Sequence, residues 1–507
     1  MKNRHLVAGV STLFVVPNAA LAAGMSPLFM ALVWMGCAGA IALTWSRRGA
    51  PEGAFVDGAV DWRLLSTACA ATLLLSLLGG SLHLLYTQDD WLMRDAVLTD
   101  LSRRSFPVVY HREGVDYLLR APLGMYLLPG LVGRGAGDFA AHVALLVQNT
   151  FVVGAAAYVF ASLAPARRGL FLALFFVFSG LDVVAQLKMI AAGGADSLWP
   201  PRDIEWWTPY FQYSSVVTQL FWAPNHAAPG WWLAALALLT ARREFDIARL
   251  GAMTAAMALW SPLAIVAAPA FLTYFAARDR LRDLATLRLW LGVGVAALFA
   301  PVAMYLTIAS GTVISTWLFQ APGFWPTYVM FLTLAIPQAY VVYKCRAQID
   351  DAFKGLVVVA VGLLFLFPFY AFGPGNDLAM RGSIPSLAIL AFAFNGLLTR
   401  FDWAGKRALG LLACVLVALG AATPLSEVAR GLYYPRFAIG QCDLLTAALE
   451  MDPSGNPDNY VAPLADFPAW MLARAATDPI PVLEQRAPCW PDHPLPKEIH
   501  TPPTPRK

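Results

Sequence analysis

Apolar residues recur along the chain in blocks close to or above the roughly 20 residues that a helix needs to cross a bilayer, from the N-terminus to about position 423. Leu, Ala, Val and Phe are mixed in these blocks without the dyad alternation of a transmembrane barrel strand, so the blocks are predicted as helices. The predicted segments are 6–23, 27–45, 63–86, 140–162, 169–187, 227–241, 250–277, 286–309, 326–343, 354–372, 383–399 and 407–423. Basic residues occupy every second connection: Arg47 and Arg48, Arg167 and Arg168, Arg242 and Arg243, the arginines of 278–288, and the basic residues of 344–354 and 400–407. The positive-inside rule places these connections in the cytoplasm and the alternate ones outside.

One block breaks the alternation. The run at 250–277 has basic connections on both sides, so it should enter and return as two half-helices around Trp260-Ser261-Pro262, where proline frees backbone groups that neighbours must satisfy. The expectation is an all-α polytopic membrane protein of about 13 membrane segments, with the hairpin counted as two. Its regions are 1–62, N-terminal hydrophobic helices and a cytoplasmic loop; 63–423, the polytopic membrane domain with external loops 87–139, 188–226 and 373–382; and 424–507, a small external Pro-rich segment. Lys2 and Arg4, the apolar stretch after them and the small residues at 18–23 also resemble a signal peptide, an alternative to an uncleaved first helix.

Composition fits this pattern: 58% of the 507 residues are hydrophobic and 13% charged, with a mean hydropathy of +0.58. The formal net charge of +4 offers no basic field for nucleic acid. There is no CxxC, Walker loop, HExxH or GxGxxG opening a helix after a strand, which disfavours nucleotide-driven and zinc-protease chemistry. Cys37, Cys69, Cys345 and Cys414 read as small hydrophobes. Cys442 and Cys489 fall in the external segment, where a disulfide is plausible in an oxidising compartment.

The external loops carry the candidate chemistry. After the third apolar block the chain reads YTQDDWLMRD, with Asp89 and Asp90 adjacent. From Asp90 onward Trp91, Met93, Val97, Leu98 and Leu101 fall on one side of a helix and Asp95, Thr99, Ser102 and Arg103 on the other, predicting an amphipathic helix in the membrane interface. The stretch 117–129 is too broken to span and should also lie along the surface. Loop 188–226 is rich in aromatics, including Trp206 and Trp207, and most of these rings read as an interfacial belt. Asp203, Glu205 and His226 among them need a partner, a wet cavity or a ligand, and rings beside acids suit a sugar. In the third loop Asn376, Asp377 and Arg381 precede a helix on the external side. Arg381 there is either a phosphate ligand or the ion-pair partner of Asp377.

An acidic pair at the outer end of a membrane helix, a long first external loop with interfacial helices, many further spans and an external C-terminal segment together resemble the GT-C superfamily of polyprenyl-phosphate-dependent glycosyltransferases. Two departures stand: the pair follows the third apolar segment rather than the first, and no subfamily acceptor signature is present. The resemblance implies an inverting enzyme of a bacterial-type inner membrane. It would move a sugar from a polyprenyl-phosphate donor to an envelope lipid, glycan or protein acceptor at the external face. Asp89 or Asp90 would be the general base. Arg112, Arg120 and Arg381 would bind the donor phosphate. His111, Asp203, Glu205, Trp206, Trp207, His226, Asn376 and Asp377 would contact acceptor or sugar. No nucleotide is required, and a divalent cation (magnesium, manganese or calcium) held by Asp89 and Asp90 is a further possibility.

Simpler roles compete with these. Either aspartate can cap the helix that follows, His111 can be an ordinary loop residue, and His83 and His142 interfacial hydrogen-bonders. A lipid or polysaccharide transporter or flippase would place ionisable groups near mid-membrane, where Asp182 and Lys188 come closest. A non-catalytic envelope scaffold is the other alternative.

Overall fold

The computed structural model describes residues 1–46, 52–194, 197–313, 315–373, 375–400, 403–451, 460–473, 479–482 and 489–490. The Arg47–Arg48 connection, Pro374 and the proline motifs at 452–457 and 501–505 lie outside the described residues. The protein is 67% helical. Among the described residues six helices are long and apolar enough to cross a membrane: Asn3–Ala22, Pro27–Trp45, Asp138–Leu163, Leu287–Thr307, Asp351–Phe369 and Arg407–Tyr433. Shorter apolar helices are Trp62–Leu78, Ile247–Met257, Phe324–Ala335 and Ile384–Arg400.

Local chemistry sets several boundaries. Ser26 caps the second helix by accepting from the Phe29 amide at 3.2 Å, with Pro27 in the first turn. The helix expected at 63–86 ends at Leu78, because Gly79-Gly80 follows and Gly80 takes φ 93°. The block at 169–187 is two helices, Arg168–Phe176 and Asp182–Ala191, and the amide of Leu181 between them is satisfied by the Leu334 carbonyl at 2.7 Å. The Ala422–Tyr433 helix runs through the 423/424 division and carries Glu427 and Arg430 into the helical bundle.

The connections gather at two ends. At the basic end, Lys2 and Arg4 meet Asp57, Glu244 accepts from the Phe55 and Val56 amides, and Asp246 is shared by Arg249 and Arg288. At the other end, the Ser26 amide donates to Met471 and the Arg120 amide to Tyr460, which places the acidic pair's loop beside the C-terminal segment. The 250–277 run turns back on itself. Ile247 at its start and Phe275 and Arg278 at its end line one cavity of about 130 Å³ at the basic end, and Arg278 donates to the Ala241 carbonyl at 3.0 Å. Its tip reaches the 87–139 loop, where the Gly124 amide donates to Leu259 at 2.9 Å. A Cβ on Gly124 would lie 2.3 Å from the Trp260 ring, so only glycine permits this approach.

Six short strands among the described residues correct the all-α expectation: β1 (Val109–Arg112), β2 (Val115–Leu119), β3 (Ser315–Trp317), β4 (Tyr370–Phe372), β5 (Val461–Pro463) and β6 (Ile480–Pro481). They form a four-stranded sheet in the order β5-β2-β1-β6 and a two-stranded β3-β4 pair. β1 and β2 make a hairpin whose two turn residues, Glu113 (φ 53°) and Gly114 (φ 79°), supply the positive φ values that a primed two-residue turn requires. Because β5 and β6 come from the C-terminal segment, that segment is woven into the 87–139 loop.

The Asp90–Arg103 helix forms where its pattern predicts one, but it is no surface helix. Every residue from Trp91 to Ser102 is buried, because the Leu127–Ala136 and Leu444–Met451 helices cover both its faces. The 117–129 stretch is likewise mostly buried, and the residues from Leu118 to Ala121 pack inward. Cys442 and Cys489 are bonded, and beside them Phe437 stacks on Trp490 with ring centroids 4.5 Å apart. Closing a loop of 47 residues stabilises by about 4 kcal/mol in the chain-entropy account. Cys489→Ser is therefore expected to expose the segment after Tyr434 to limited proteolysis; an unchanged cleavage rate would mean the sheet alone holds it.

Candidate functional site

The two adjacent acids face different surroundings. Asp89 occupies the N-cap position of the Asp90–Arg103 helix, yet its side chain makes no capping bond there, so the capping role is not realised. It is 8% exposed and bears electrostatically on Tyr86 together with Arg430 and Glu427. Asp90, one residue on, is turned by about 100° around the helix axis. Its side chain is 37% exposed and pairs with Arg94 at 3.3 Å.

Around Asp90 the structure assembles groups from four separate stretches of chain. Arg94 donates to the Trp222 carbonyl and lies 5.5 Å from the Trp91 ring centroid, while its Nε and Nη1 are buried without a hydrogen-bond partner. Arg381 pairs with Asp377 at 3.2 Å and keeps a buried Nε without a partner. Burial opposes its charge, but Asp377, Asp90 and Tyr460 outweigh that and hold Arg381 above the ordinary arginine range. Tyr460 arrives from the C-terminal segment, and burial, then the charge of Asp90, pushes its phenol up to about 12. His226 lies within Coulombic reach of Arg381 and Arg94, and its Nδ1 is 2.5 Å from the Ser261 hydroxyl at the hairpin tip. Gly373 (φ 85°) shapes the loop before Arg381: a Cβ there would strike the Asp377 carboxylate at 2.4 Å.

Beneath Asp89 lies a second cluster that the sequence reading missed. Glu427 and Arg430 are 1% and 0% exposed and pair at 2.9 Å. Glu427 also accepts from Gln88 Nε2 at 3.2 Å and from the Trp222 indole at 2.8 Å. Arg430 lies 5.1 Å from the Trp222 ring centroid and 5.9 Å from that of Tyr86, with Nε and Nη2 buried without hydrogen-bond partners. The signal was present as two charges three residues apart beside an apolar helix, but the division at 423/424 assigned them to the external segment.

Several expected ligands are occupied elsewhere. His111 and Arg112 sit on the β1-β2 hairpin, paired with Asp116 at 2.7 Å and Glu113 at 2.9 Å. The Arg120 guanidinium donates to the Leu306 carbonyl at 3.2 Å. Glu205 is fully engaged, accepting from Gln212, the Ser215 amide and Thr218, each at 2.7 Å. Burial, with Asp203 and Asp182 nearby, raises it well above the usual carboxylate range. It fixes the start of the Val216–Trp222 helix rather than a sugar. Asp203 accepts from the Glu205 amide at 2.8 Å. Trp207 donates to Asp182 at 2.8 Å, and Asp182 also accepts from Ser179 and Thr423; Lys188 contacts Met330 instead. Asn376 caps the Asp377–Gly382 helix and donates to the Tyr210 carbonyl at 2.9 Å, tying the middle and third loops together. Trp206 is 36% exposed beside Gly375, whereas Trp207 is buried. Among the described residues no group of three or more His, Cys, Asp or Glu side chains is arranged to hold a metal ion.

His83 and His142 are buried rather than interfacial. His83 bonds Asp95 at 3.1 Å and the Phe437 carbonyl at 3.2 Å; both ring nitrogens of His142 lack a partner. Asp100, on the same helix as Asp95, accepts from the Tyr110 hydroxyl at 2.6 Å and the Leu444 amide at 2.9 Å. Burial pushes Asp100 up to about 7, from an ordinary value of 3.8. Between those two pH values the folded state holds a proton that the unfolded chain has released, so stability falls as pH rises from about 4 to about 7 and levels off above. Thermal midpoints in detergent should decline over this range, with a shallower decline for Asp100→Asn. Parallel curves for the two proteins would refute the assignment.

The fold is thus that of a helical protein with several helices long and apolar enough to cross a membrane, bearing a charged, aromatic cluster at one end. No family model matches the sequence, and comparison with curated proteins gives no significant match.

Proposed function

We propose that the protein is a membrane glycosyltransferase of GT-C type, with Asp90 as general base and Arg94 and Arg381 receiving the donor phosphate. The observation that carries this reading is a part-exposed acid paired with Arg94 and within electrostatic reach of Arg381, two guanidinium groups that each keep buried N–H donors uncommitted. Buried charged donors without partners are costly, and a phosphate is the ligand whose oxygens match them two at a time. Asp90 takes the proton of the acceptor hydroxyl as its oxygen attacks the anomeric carbon from the face opposite the leaving group. The bond from that carbon to the phosphate oxygen breaks, its electron pair leaves with the lipid phosphate, and Arg94 and Arg381 stabilise the charge. Trp206 offers a ring for the apolar face of a sugar.

Arg381→Gln in liposomes supplied with a polyprenyl-phosphate-linked hexose is expected to raise the donor KM about 10- to 100-fold, the range for hydrogen bonds to charged groups. Unchanged transfer at limiting donor would overturn the phosphate assignment. A transporter is the second reading, favoured by the buried Glu427–Arg430 pair within the membrane-length segment Arg407–Tyr433. The two separate on whether the lipid-linked sugar is consumed or merely changes leaflet.

A further inference from the structure

At the basic end a cleft of about 460 Å³ opens beside the ends of the Pro224–Ala241 and Ala268–Arg278 helices, lined by Arg243, Arg278, Asp279, Arg280, Arg282 and Asp283. Four cations against two acids give this lining a net charge of +2. Pairing within the cleft leaves the excess unchanged: Asp279 is shared by Arg243 and by Arg278, the latter at 3.1 Å, and Asp283 stands against both Arg280 and Arg282. The acids that border the cleft are matched by cations of their own. Asp246 lines the adjoining cavity and is shared by Arg249 and Arg288, and Glu244 pairs with Arg242. All these residues, and the whole of 240–291, are among the described residues.

The chain turns through Arg280 (φ 54°) and Leu281 (φ 58°), a left-handed pair that brings Arg280 and Arg282 to one cleft. Both arginines are exposed, and neither guanidinium has an ion-pair or hydrogen-bond partner among the described residues. Exposed apolar side chains alternate with them: Leu281, Leu284, Leu287 and Trp290. The last two lie in the first turn of Leu287–Thr307, a helix of membrane length, and the Trp290 indole ties the turn to that helix by donating to the Leu284 carbonyl at 2.9 Å. Arginines interleaved with exposed leucines and a tryptophan where a membrane helix begins set the cleft at headgroup depth. A soluble phosphate would leave the leucines in water, whereas a lipid phosphate accounts for both kinds of side chain.

We propose that this cleft holds a lipid carrying two phosphates on one headgroup, in the leaflet at the basic end, with the phosphates on Arg280 and Arg282 and the start of the acyl chains beside Leu281, Leu284 and Leu287. Two phosphodiesters, one negative charge each, balance the excess of the lining. The site is separate from the Asp90 cluster and does not depend on the glycosyltransferase reading.

The test is lipid retention by the full-length protein extracted from nanodiscs of phosphatidylcholine containing equal minor parts of phosphatidylglycerol and cardiolipin, read by native mass spectrometry. Wild type should keep cardiolipin in preference to the other two, and excess sodium pyrophosphate should not displace it. Arg280→Gln combined with Arg282→Gln should lower cardiolipin retention about 30-fold, the loss expected for two arginines at an anionic membrane surface. Leu281→Asn combined with Leu284→Asn should also lower it, with no change of charge, and asparagine tolerates the positive φ at 281 so the turn is kept. Arg346→Gln, an exposed arginine at the same end outside this cleft, should retain cardiolipin like wild type. Equal retention of cardiolipin and phosphatidylglycerol by wild type, displacement by pyrophosphate, equal losses in Arg346→Gln and the arginine pair, or no loss in the leucine pair would each overturn the proposal.

Discussion

Asp90→Asn is expected to lower sugar transfer by about 10²- to 10⁴-fold, the usual worth of a positioned general base, with normal expression and little change in donor KM. The amide is nearly isosteric and removes the basic oxygen while leaving an acceptor for Arg94, so folding should be preserved. Asp89→Asn should behave differently. Asp89 bears electrostatically on Tyr86 together with Arg430 and Glu427, whereas Asp90 pairs with Arg94, so loss of Asp89 should show chiefly in stability, with transfer reduced far less. Two equally active variants at normal expression would sink the enzyme reading. Activity lost only in Asp89→Asn would reverse the assignment of the base.

The second large effect is expected at Arg430. Arg430→Met leaves Glu427 ionised, buried and short of its counter-charge, and breaking such a pair costs about 3–5 kcal/mol. Gln88 and Trp222 donate to Glu427, so a shift of that carboxylate away from its former partner should loosen the loop carrying Asp89 as well. The measurement is the thermal midpoint and the monodisperse fraction in detergent. Glu427→Gln combined with Arg430→Met should recover part of the loss, because no unpaired charge then remains buried. A single variant as stable as wild type would show that the pair is wet or dispensable.

The hydropathy pattern located most of the apolar helices. Pro27 and Ser26, the Gly79-Gly80 stop and the Trp260-Ser261-Pro262 turn are local signals whose structural meaning is independent of partners. The β1-β2 hairpin was legible too, in the alternation Val109-Tyr110-His111-Arg112 and the Glu113-Gly114 turn. The helical pattern of the surrounding chain masks it. The Asp90–Arg103 helix shows where pattern reading fails: its amphipathic stripe implied a wet face, yet Asp95, Thr99, Asp100 and Ser102 are all buried. Asp95, Asp100 and Ser102 find hydrogen-bond partners in Gly440, Leu444 and Leu98. Polar residues on a helix announce a need for hydrogen bonds and leave open whether water or protein meets it.

The same distinction runs through the candidate site. That Asp90 and Arg94 face one another follows from their spacing of four on a helix. That Arg381, Tyr460 and His226 join them does not, because they lie more than 100 residues from Asp90 in sequence and meet it only through packing. Glu205 and Trp207 had the residue types of ligands, and the fold used both for internal hydrogen bonds. By itself the sequence determined which stretches are apolar enough for lipid and where they must turn, since those properties are local sums of side-chain transfer free energy and backbone preference. Only the tertiary structure decided which polar groups satisfy one another and which keep donors uncommitted, because that depends on three-dimensional proximity between distant segments.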